Sequence, residues 1–443
     1  MMFRPAEDQE RWPLKRLGVL LGFALLLRVG LGLWLPADEA FIAQLPDQTE
    51  YLQLAGSVLQ GNGFVLVDER YPTPQTLLAQ RMPGYPLLVA ACGASVHAVR
   101  IVQALIEAST VLATFLLARR WLRVGPSLVA AALVAVNPFL VYFSNLVLSE
   151  SLYTAMLAWG MVCLARPGVR GRLWWLGMTL LVLGVYVRPS GAGMAIALGI
   201  ASAFLPDRHP FAVHSRWPLP VGLTTLLLLL VALAPWTLRN WLLLDELVPT
   251  TTNNGITLYD GWHVDNTTGG SDQSFVARMP QLGLMNETER DTYLKGKAME
   301  AVRERPLRSA ALAVRKAGRT WSPVPLSQAD RPAYLLAGLV YSVPLFVLAA
   351  VGLLLSGLPR PGKWLLLTPA VYLTLIHMLS VGSVRYRLPA EPALAVLAAG
   401  GIWAIGVGYR EWRQLRDRTD DETENDSAAG RGFEVIRPDQ AVE

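Results

Sequence analysis

The chain has 443 residues, of which 53% are hydrophobic and only 16% are charged. Soluble domains carry about 25% charged residues, so this composition excludes an ordinary soluble protein of this length. The formal charge is +5, but most basic residues stand in short clusters between long apolar stretches, as cytoplasmic loops do. The two cysteines cannot form a disulfide framework. We therefore predict a polytopic membrane protein that binds no nucleic acid.

Ten apolar stretches are long enough, or nearly so, for a helix that crosses a bilayer, which needs roughly 20 residues. They cover residues 17–35, 99–117, 126–147, 152–165, 173–187, 192–205, 219–242, 333–355, 364–381 and 389–407. No small-residue cleavage site follows the first stretch, so we predict a retained helix and not a signal peptide.

Basic residues orient this bundle. Four of them precede the first stretch, which places the N-terminus (residues 1–16) in the cytoplasm. Counting alternately from there, every short loop that falls inside is basic. The residues concerned are Arg4, Arg11, Lys15 and Arg16, then Arg119, Arg120, Arg123, Arg166, Arg170, Arg172, Arg208, Arg216, Arg360, Lys363, Arg410, Arg413 and Arg416.

The same count places two long loops on the outer side, residues 36–98 (the first long loop) and 244–332 (the second long loop). They divide the chain into an N-terminal transmembrane module, 17–243, and C-terminal transmembrane helices, 333–409. Stretches 289–305 and 307–321 of the second long loop have helical spacing of apolar and basic residues, so we predict amphipathic helices on the membrane surface. The charged tail 410–443 is predicted to be disordered and cytoplasmic.

Arginines collect on the side where the orientation rule disfavours them. They are Arg81, Arg100, Arg188, Arg239, Arg385 and Arg387. A guanidinium suits phosphate oxygens because it offers paired donors. Snorkelling or pairing with a carboxylate explains any one of them equally well, but the set as a whole favours anion binding.

Two acidic residues share that side. Asp47 follows Pro46 and precedes Glu50, so it could also cap a short helix. Glu150 stands where the third stretch ends, so it could also be a favourable charge at a helix N-terminus. Together with the arginines they predict a general base beside a phosphate site. Glu107 is expected to pair inside the bundle, and His377 is interpreted as a core residue.

A series of motifs then gives a family resemblance. In chain order they are residues 47–55, GNGF at 61–64, RMPGYP at 81–86, LSE at 148–150, RP at 188–189, PW at 235–236, RN at 239–240, TNNG at 252–255, LYDG at 258–261, GG at 269–270 and RYRLP at 385–389. The set resembles the GT-C superfamily of membrane glycosyltransferases. It is most similar to family 39-like enzymes, which include dolichyl-phosphate-mannose protein mannosyltransferases and aminoarabinose transferases.

The resemblance implies an all-α integral membrane fold, a GT-C-like bundle of about ten transmembrane helices with two long outer loops that contain short amphipathic helices. It also implies a polyprenyl-phosphate-linked sugar as donor and an essential aspartate, here Asp47, with Glu150 as a second acidic position. Many relatives have an acidic residue after the aspartate, but this chain has Gln48. A divalent metal is therefore left open, and no cofactor is assigned.

We predict Asp47 as general base and Glu150 as a residue that orients the base, the sugar or the acceptor. The predicted donor-phosphate ligands are Arg81, Arg188, Arg239, Arg385 and Arg387. The predicted sugar or acceptor contacts are Glu50, Tyr85, Asn254, Gly255 and Tyr259. The site would face the periplasm or exterior of a cell (inner) membrane, where the partners are membrane lipids and an unknown acceptor, a lipid, a glycan or a protein.

Two other classes compete with this interpretation. A transporter or flippase of lipid-linked saccharides would show internal symmetry between its halves, and the sequence shows none. A non-catalytic envelope-assembly protein would not need acidic residues and arginines gathered on one side. The sequence has no Walker loop and no HExxH or CxxC motif, so nucleotide-driven transport and common metal sites lack support.

Overall fold

The computed structural model of the protein describes residues 13–70, 74–165, 171–205, 218–326 and 332–429. Several predicted features lie outside the described residues. They are the basic residues Arg4, Arg11, Arg166, Arg170, Arg208 and Arg216, and the end of the predicted tail, 430–443.

Helices dominate the described chain. They are α1 (Leu14–Trp34), α2 (Glu39–Ala43), α3 (Pro46–Leu59), α4 (Gly84–Ala91), α5 (Val96–Ala118), α6 (Val124–Ala135), α7 (Pro138–Phe143), α8 (Glu150–Leu164), α9 (Arg172–Leu183), α10 (Gly191–Ala203), α11 (Pro218–Leu244), α12 (Asn254–Trp262), α13 (Phe275–Arg278), α14 (Glu287–Glu304), α15 (Pro306–Thr320), α16 (Pro332–Leu355), α17 (Arg360–Leu379) and α18 (Glu391–Ala429). Three 3₁₀ turns cover Gly184–Tyr186, Pro280–Leu284 and Val384–Ala390.

Six of the described helical segments are long and apolar enough to cross a membrane. They are α1, α5, α11, α16, α17 and the segment Val384–Arg410, which includes the start of α18. Shorter apolar helices, among them α6 and α10, complete the bundle. Each of the ten predicted stretches has a helical counterpart, so the predicted all-α membrane fold is confirmed.

The stretch 126–147 is one predicted helix that the structure divides. α6 ends at Ala135 and α7 begins at Pro138, whose missing N–H cannot continue a helix but fits its first position. Asn137 between them caps α7, since its side chain accepts hydrogen bonds from the backbone N–H groups of Phe139 and Leu140. At the other end of the chain, α18 continues as a helix to Ala429, into the predicted tail.

The helices pack closely where glycine removes the side chain. A Cβ on Gly352 of α16 would overlap the Leu397 carbonyl of α18, and one on Gly401 would overlap the Leu348 carbonyl of α16. Small residues of this kind let two membrane helices approach backbone to backbone. One continuous apolar core runs from α1 through α5, α6, α8 and α10 to α18.

The first long loop contains α2, α3, a hairpin and α4. Gly61 follows α3 with φ +78°, a left-handed conformation that favours glycine, and the chain then turns into the hairpin. Strand β1 (Leu66–Asp68) pairs antiparallel with β2 (Gln75–Leu77), with Leu66 opposite Leu77. Gly84 begins α4 close to the backbone of Tyr186, where a Cβ would lie 2.7 Å from the carbonyl oxygen. This contact fixes the end of the first long loop against the bundle.

The second long loop contains α12 to α15. α14 begins at a capping box, in which Asn286 accepts from the N–H of Glu289 and the Glu289 side chain accepts from the N–H of Asn286. α15 follows at Pro306 and packs against α17 and the turn Val384–Ala390. The two amphipathic helices predicted in this loop are therefore present as helices.

Candidate active site

Asp47 lies in the first turn of α3, at the second helical position. Leu45 is the N-cap residue, and no side chain caps this helix, so the capping role considered for Asp47 is wrong. Its carboxylate instead meets two arginines. Oδ1 lies 2.5 Å from Arg81 Nη2, and Oδ2 lies 2.7 Å from Arg385 Nη2.

Glu150 is the first residue of α8 and is almost fully buried. Its position beside the helix N-terminus is electrostatically favourable, and its carboxylate also meets two arginines. Oε1 lies 3.0 Å from Arg188 Nη1 and 3.6 Å from Arg385 Nε. Arg385 therefore bridges the two carboxylates that the sequence analysis singled out.

These contacts extend into a continuous row of alternating charges. Glu50, one turn after Asp47 on α3, accepts from Arg81 Nε at 2.6 Å. We call this set the charged row; in order along it, the members are Glu50, Arg81, Asp47, Arg385, Glu150 and Arg188. With three carboxylates and three guanidiniums its formal charge is zero.

The charged row is partly open to its surroundings. The side chains of Asp47 and Arg385 are 22% and 21% exposed, whereas that of Glu150 is 4% exposed. A ligand can therefore reach the middle of the row while its Glu150 end stays buried. Arg188 Nη1 is buried and makes no hydrogen bond within the described structure, although it lies near Glu150.

Aromatic rings support the arginines. The Arg81 guanidinium lies 5.4 Å from the centroid of the Tyr51 ring. Arg188 and Arg385 both lie over Tyr386, at 5.4 and 5.0 Å, and the ring of His377 stacks on Tyr386 with centroids 4.1 Å apart. Tyr386 lies in the RYRLP motif but was not among the predicted site residues, because an aromatic residue between two arginines gives no pattern of its own.

The charged row shifts the pKa values of Asp47 and Arg81. Burial by itself raises the pKa of Asp47, but the guanidiniums of Arg81 and Arg385 outweigh burial and hold that pKa below its usual value. Burial likewise opposes the charged form of Arg81, yet Glu50 and Asp47 raise its pKa well above the usual value. Asp47 and Arg81 are therefore both ionised near neutral pH.

Two of the predicted phosphate ligands bond elsewhere. Arg239 donates to the backbone carbonyls of Leu78 at 2.6 Å and Phe64 at 3.3 Å, and lies over the ring of Trp236. Its hydrogen bonds tie α11 to the first long loop.

Arg387 is fully buried inside the bundle. Its Nε pairs with Glu391 at 2.7 Å, and its Nη2 donates to Ser342 Oγ at 3.0 Å. Arg100, the sixth arginine of the outer set, donates to the carbonyls of Gly32 and Leu35 at the end of α1. Both side chains hold helices together.

Among the predicted sugar or acceptor contacts, only Glu50 lies in the charged row. Tyr85 is fully buried, with its hydroxyl donating to Gln103 Oε1 at 2.8 Å. Asn254 donates to the Thr251 carbonyl at 3.0 Å, at the start of α12.

Gly255 and Tyr259 pack within the second long loop. A Cβ on Gly255 would overlap the backbone of Asp291 in α14. The ring of Tyr259 lies edge to face with Phe275, with centroids 4.9 Å apart. Both residues thus have clear packing functions between the helices of this loop.

The side-chain oxygens at this site are not arranged to bind a divalent cation. Both oxygens of Asp47 face guanidinium groups, and Gln48 beside it uses its amide to join two chain segments, with Oε1 accepting from Val147 N at 2.8 Å. Among the described residues, no group of three or more His, Cys, Asp or Glu side chains could hold a metal.

Glu107 pairs inside the bundle as predicted. Its carboxylate lies 3.7 Å from Arg28 of α1, and neither side chain is exposed. Arg28 also donates to the carbonyls of Ala24 and Ala135. The sequence could not name this partner because Arg28 stands alone in an apolar stretch.

Comparisons with known proteins agree with the motifs. Residues 86–236 match the profile of the family "dolichyl-phosphate-mannose-protein mannosyltransferase", which is less than half of the chain and includes Glu150 and Arg188. No curated protein sequence matches the chain.

Solved structures match over almost the whole chain. One is an oligosaccharyltransferase of Archaeoglobus fulgidus tethered to an acceptor peptide, with TM-score 0.53 and 14% identity, covering 92% of this chain and 51% of that one. Another is oligosaccharyltransferase AglB of the same organism with an inhibitory peptide and a dolichol-phosphate, with TM-score 0.50 and 13% identity, covering 91% and 51%.

The chain spans about half the length of the solved structures it matches. At this identity the likeness establishes the fold. The predicted resemblance to family 39-like membrane glycosyltransferases is confirmed by the sequence match over residues 86–236. The solved structures show the same fold over nearly the whole chain.

Proposed function

We propose that the protein is a membrane glycosyltransferase that moves a sugar from a polyprenyl-phosphate donor to an acceptor hydroxyl. The observation that carries this proposal is the charged row, in which the partly exposed Asp47 lies between Arg81 and Arg385, and Glu150 lies between Arg385 and Arg188. A guanidinium set of this kind offers donors for phosphate oxygens, and the carboxylate beside it can take a proton.

In this proposal the donor phosphate binds to the guanidinium groups of Arg81, Arg385 and Arg188, all three of which are partly exposed. Arg188 Nη1 lies 3.0 Å from Glu150 Oε1 but makes no hydrogen bond within the described structure, so a phosphate oxygen can accept from this N–H group. Arg385 is partly exposed and already fixed by the Tyr386 ring. Guanidinium groups that are positioned before the reaction stabilise the charge that develops on the leaving phosphate.

Asp47 is the proposed general base, but its lowered pKa makes it a weak base in the ligand-free protein. A donor phosphate that draws Arg385 away from Oδ2 removes one of the two charges that lower this pKa. Asp47 then becomes a stronger base only when the donor is bound. This coupling makes donor binding precede productive acceptor binding.

The charges balance through the reaction. The acceptor hydroxyl gives its proton to Asp47, and its oxygen forms a bond with the anomeric carbon of the sugar. The bond between that carbon and the phosphate oxygen breaks, and its electron pair stays on the phosphate as a second negative charge. Protonation of Asp47 leaves the charged row with a charge of +1 beside this phosphate. Direct displacement inverts the anomeric configuration.

The side of the membrane follows from the basic loops. The charged row combines residues of the first long loop, of the start of α8, of the connection between α9 and α10, and of the turn before α18. All of them are assigned by charge to the side opposite the basic loops. We therefore propose a multi-pass protein of a cell (inner) membrane whose site faces the periplasm or exterior. The donor enters from the outer leaflet, and the acceptor carries a free hydroxyl.

The test replaces the carboxylate of Asp47 by an amide. Membranes containing Asp47→Asn are supplied with polyprenyl-phosphate sugar, and both sugar transfer and release of polyprenyl phosphate are measured. We expect a loss of about 10²–10⁴ in rate, with binding of polyprenyl phosphate retained because a negative charge has been removed. Glu39→Gln is the matched control, since Glu39 is an exposed acid of the same loop. Undiminished transfer by Asp47→Asn would overturn the proposal.

A further inference from the structure

Arg81 follows a short segment, Leu78 to Gln80, that belongs to no helix or strand. A segment without regular secondary structure is ordinarily mobile, yet Arg81 must keep a fixed position to bond both Asp47 and Glu50. Something other than secondary structure has to fix it. The contacts of the segment come from the second long loop and from α11.

Glu287, the first residue of α14, is the centre of these contacts. Its side chain is buried and accepts three hydrogen bonds. Oε1 accepts from Leu78 N at 3.0 Å, while Oε2 accepts from Ala79 N at 3.2 Å and from Thr252 Oγ1 at 3.0 Å. One carboxylate thus satisfies two consecutive backbone N–H groups that no strand partner serves.

Three further bonds complete the attachment. The Ala79 carbonyl accepts from Thr252 N at 3.0 Å. The Leu78 carbonyl accepts from Arg239 at 2.6 Å, and Gln80 Nε2 donates to Asn253 Oδ1 at 3.0 Å. The backbone N–H and C=O groups of both residues, 78 and 79, therefore have partners outside the first long loop.

Charge explains why an acid is needed here. A carboxylate that accepts from backbone N–H groups makes charge-assisted hydrogen bonds, which are about twice as strong as neutral ones. Glutamine at this position would present one oxygen and one NH₂ group to two N–H donors. One backbone N–H would then face another donor and lose its partner, which is costly for a buried group.

We infer that Glu287 is a positioning residue that holds Arg81 in the charged row, and that the second long loop thereby sets the geometry of the donor-phosphate site. Glu287 acts through residues 78 and 79 and need not touch the donor. The inference rests on the proposed function, because it assigns to Arg81 a part in binding the donor phosphate.

A double-mutant cycle tests this inference. The full-length protein in detergent is titrated with undecaprenyl phosphate, as wild type, Glu287→Gln, Arg81→Ala and the double variant. We expect Glu287→Gln to weaken binding about tenfold in the wild-type background and less than twofold when Arg81 is already alanine, because contacting groups are not additive. Equal effects in both backgrounds would overturn the inference, since a general loss of structure does not depend on Arg81.

Glu304→Gln is the matched control, because Glu304 is an exposed acid at the other end of the same helix. It should leave undecaprenyl phosphate binding unchanged. If Glu287→Gln does not fold, Thr252→Val takes its place in the cycle, since it removes one of the three donors and keeps the side-chain shape. About threefold weaker binding is then expected, again only while Arg81 is present, and no change would overturn the inference.

The same cycle separates this inference from the proposed function. If Arg81→Ala weakens binding and Glu287→Gln does not, only the positioning function of Glu287 is wrong. If Arg81→Ala itself leaves binding unchanged, the proposed donor site is wrong and the inference falls with it.

Discussion

Arg385 and Arg387 stand two positions apart in one 3₁₀ turn, yet their surroundings differ completely. Arg385 is partly exposed and bonds to Asp47, whereas Arg387 is fully buried and bonds to Glu391. The same function was predicted for both, because the sequence shows two charges at a helix end but not the direction in which each side chain points. The structure separates a residue that can meet a ligand from one that holds helices together.

The alanine variants of Arg385 and Arg387 should therefore lose different properties, ligand binding in one case and stability in the other. Arg387→Ala leaves Glu391 buried beside Asn137 without its guanidinium partner. Breaking a buried pair in this way costs about 3–5 kcal/mol, so the yield of folded protein and the thermal midpoint should fall. Arg385→Ala should keep the midpoint near that of the wild type and weaken binding of undecaprenyl phosphate about tenfold or more. The opposite pattern would contradict these assignments.

At the scale of elements, the orientation of α15 is unusual. Its buried face carries the polar residues Ser309, Lys316 and Thr320 together with Leu312, while Leu307 and Val314 are strongly exposed. The amphipathic pattern predicted this helix, but not that its polar side would face the protein. A helix of this kind can rest its apolar side on a lipid surface. Its polar side then lies against α17 and the turn that carries Arg385.

Lys316 gives this arrangement a pH dependence. Its ammonium nitrogen is buried, 3.3 Å from the centroid of the Trp262 ring, with no hydrogen-bond partner in the described structure. Burial lowers its pKa to about 7, a shift that the Asp260 carboxylate of α12 opposes and Arg308 of α15 reinforces. The unfolded chain holds this proton up to a pH of about 10. Folded-state stability therefore falls as the pH is lowered from about 10 to 7, and the cost is complete below 7.

The variant Lys316→Met keeps an unbranched apolar side chain and removes the titrating group. Thermal unfolding is followed in detergent at several values between pH 7 and 10 for both proteins. We expect the midpoint of the wild type to drop by several degrees, relative to that of Lys316→Met, between the top and bottom of this range. Parallel curves would show that Lys316 keeps an ordinary pKa in the folded protein.

The contact of α16 with α18 makes another prediction at this scale. Gly352→Ala places a methyl group against the Leu397 carbonyl, so the two backbones must separate. Overpacking of this kind costs typically 1–3 kcal/mol, and the thermal midpoint should fall accordingly. Gly406→Ala on α18 is the control, because a Cβ there meets nothing within 4 Å. Equal thermal midpoints for the two variants would indicate that α16 and α18 are not in close backbone contact.

At the scale of the whole molecule, the order of helices was predictable because apolar length is a local property. The alternating charges of Glu50, Arg81, Asp47 and Arg385 were predictable only in part. The sequence assigned these four residues to three separate functions and did not indicate that they form one row of ion pairs. The function of Glu287 was not predictable, because a lone acid at a helix start is ordinary until its partners in another loop are known. Contacts between loops that are far apart in the chain produce no regular spacing of residues in the sequence.

Native cysteines test the side on which this site lies. Cys92 is partly exposed at the end of α4, in the first long loop, and Cys163 is buried in α8. A membrane-impermeant maleimide added to intact cells should label Cys92 and leave Cys163 unlabelled. Burial raises the pKa of the Cys92 thiol, so labelling should accelerate at alkaline pH. Loss of the signal in Cys92→Ser is the control, and labelling only after the cells are opened would place the loop in the cytoplasm.

Arg81, Arg188 and Arg385 come from three distant parts of the chain, and Arg385 lies in the turn that leads into α18. During synthesis, Asp47 and Glu150 leave the ribosome long before Arg385 does, so their shared partner arrives late. If these arginines bind the donor as proposed, a nascent chain has an incomplete phosphate cradle until Arg385 has been synthesised. Insertion of α18 would then turn an inert precursor into a competent protein.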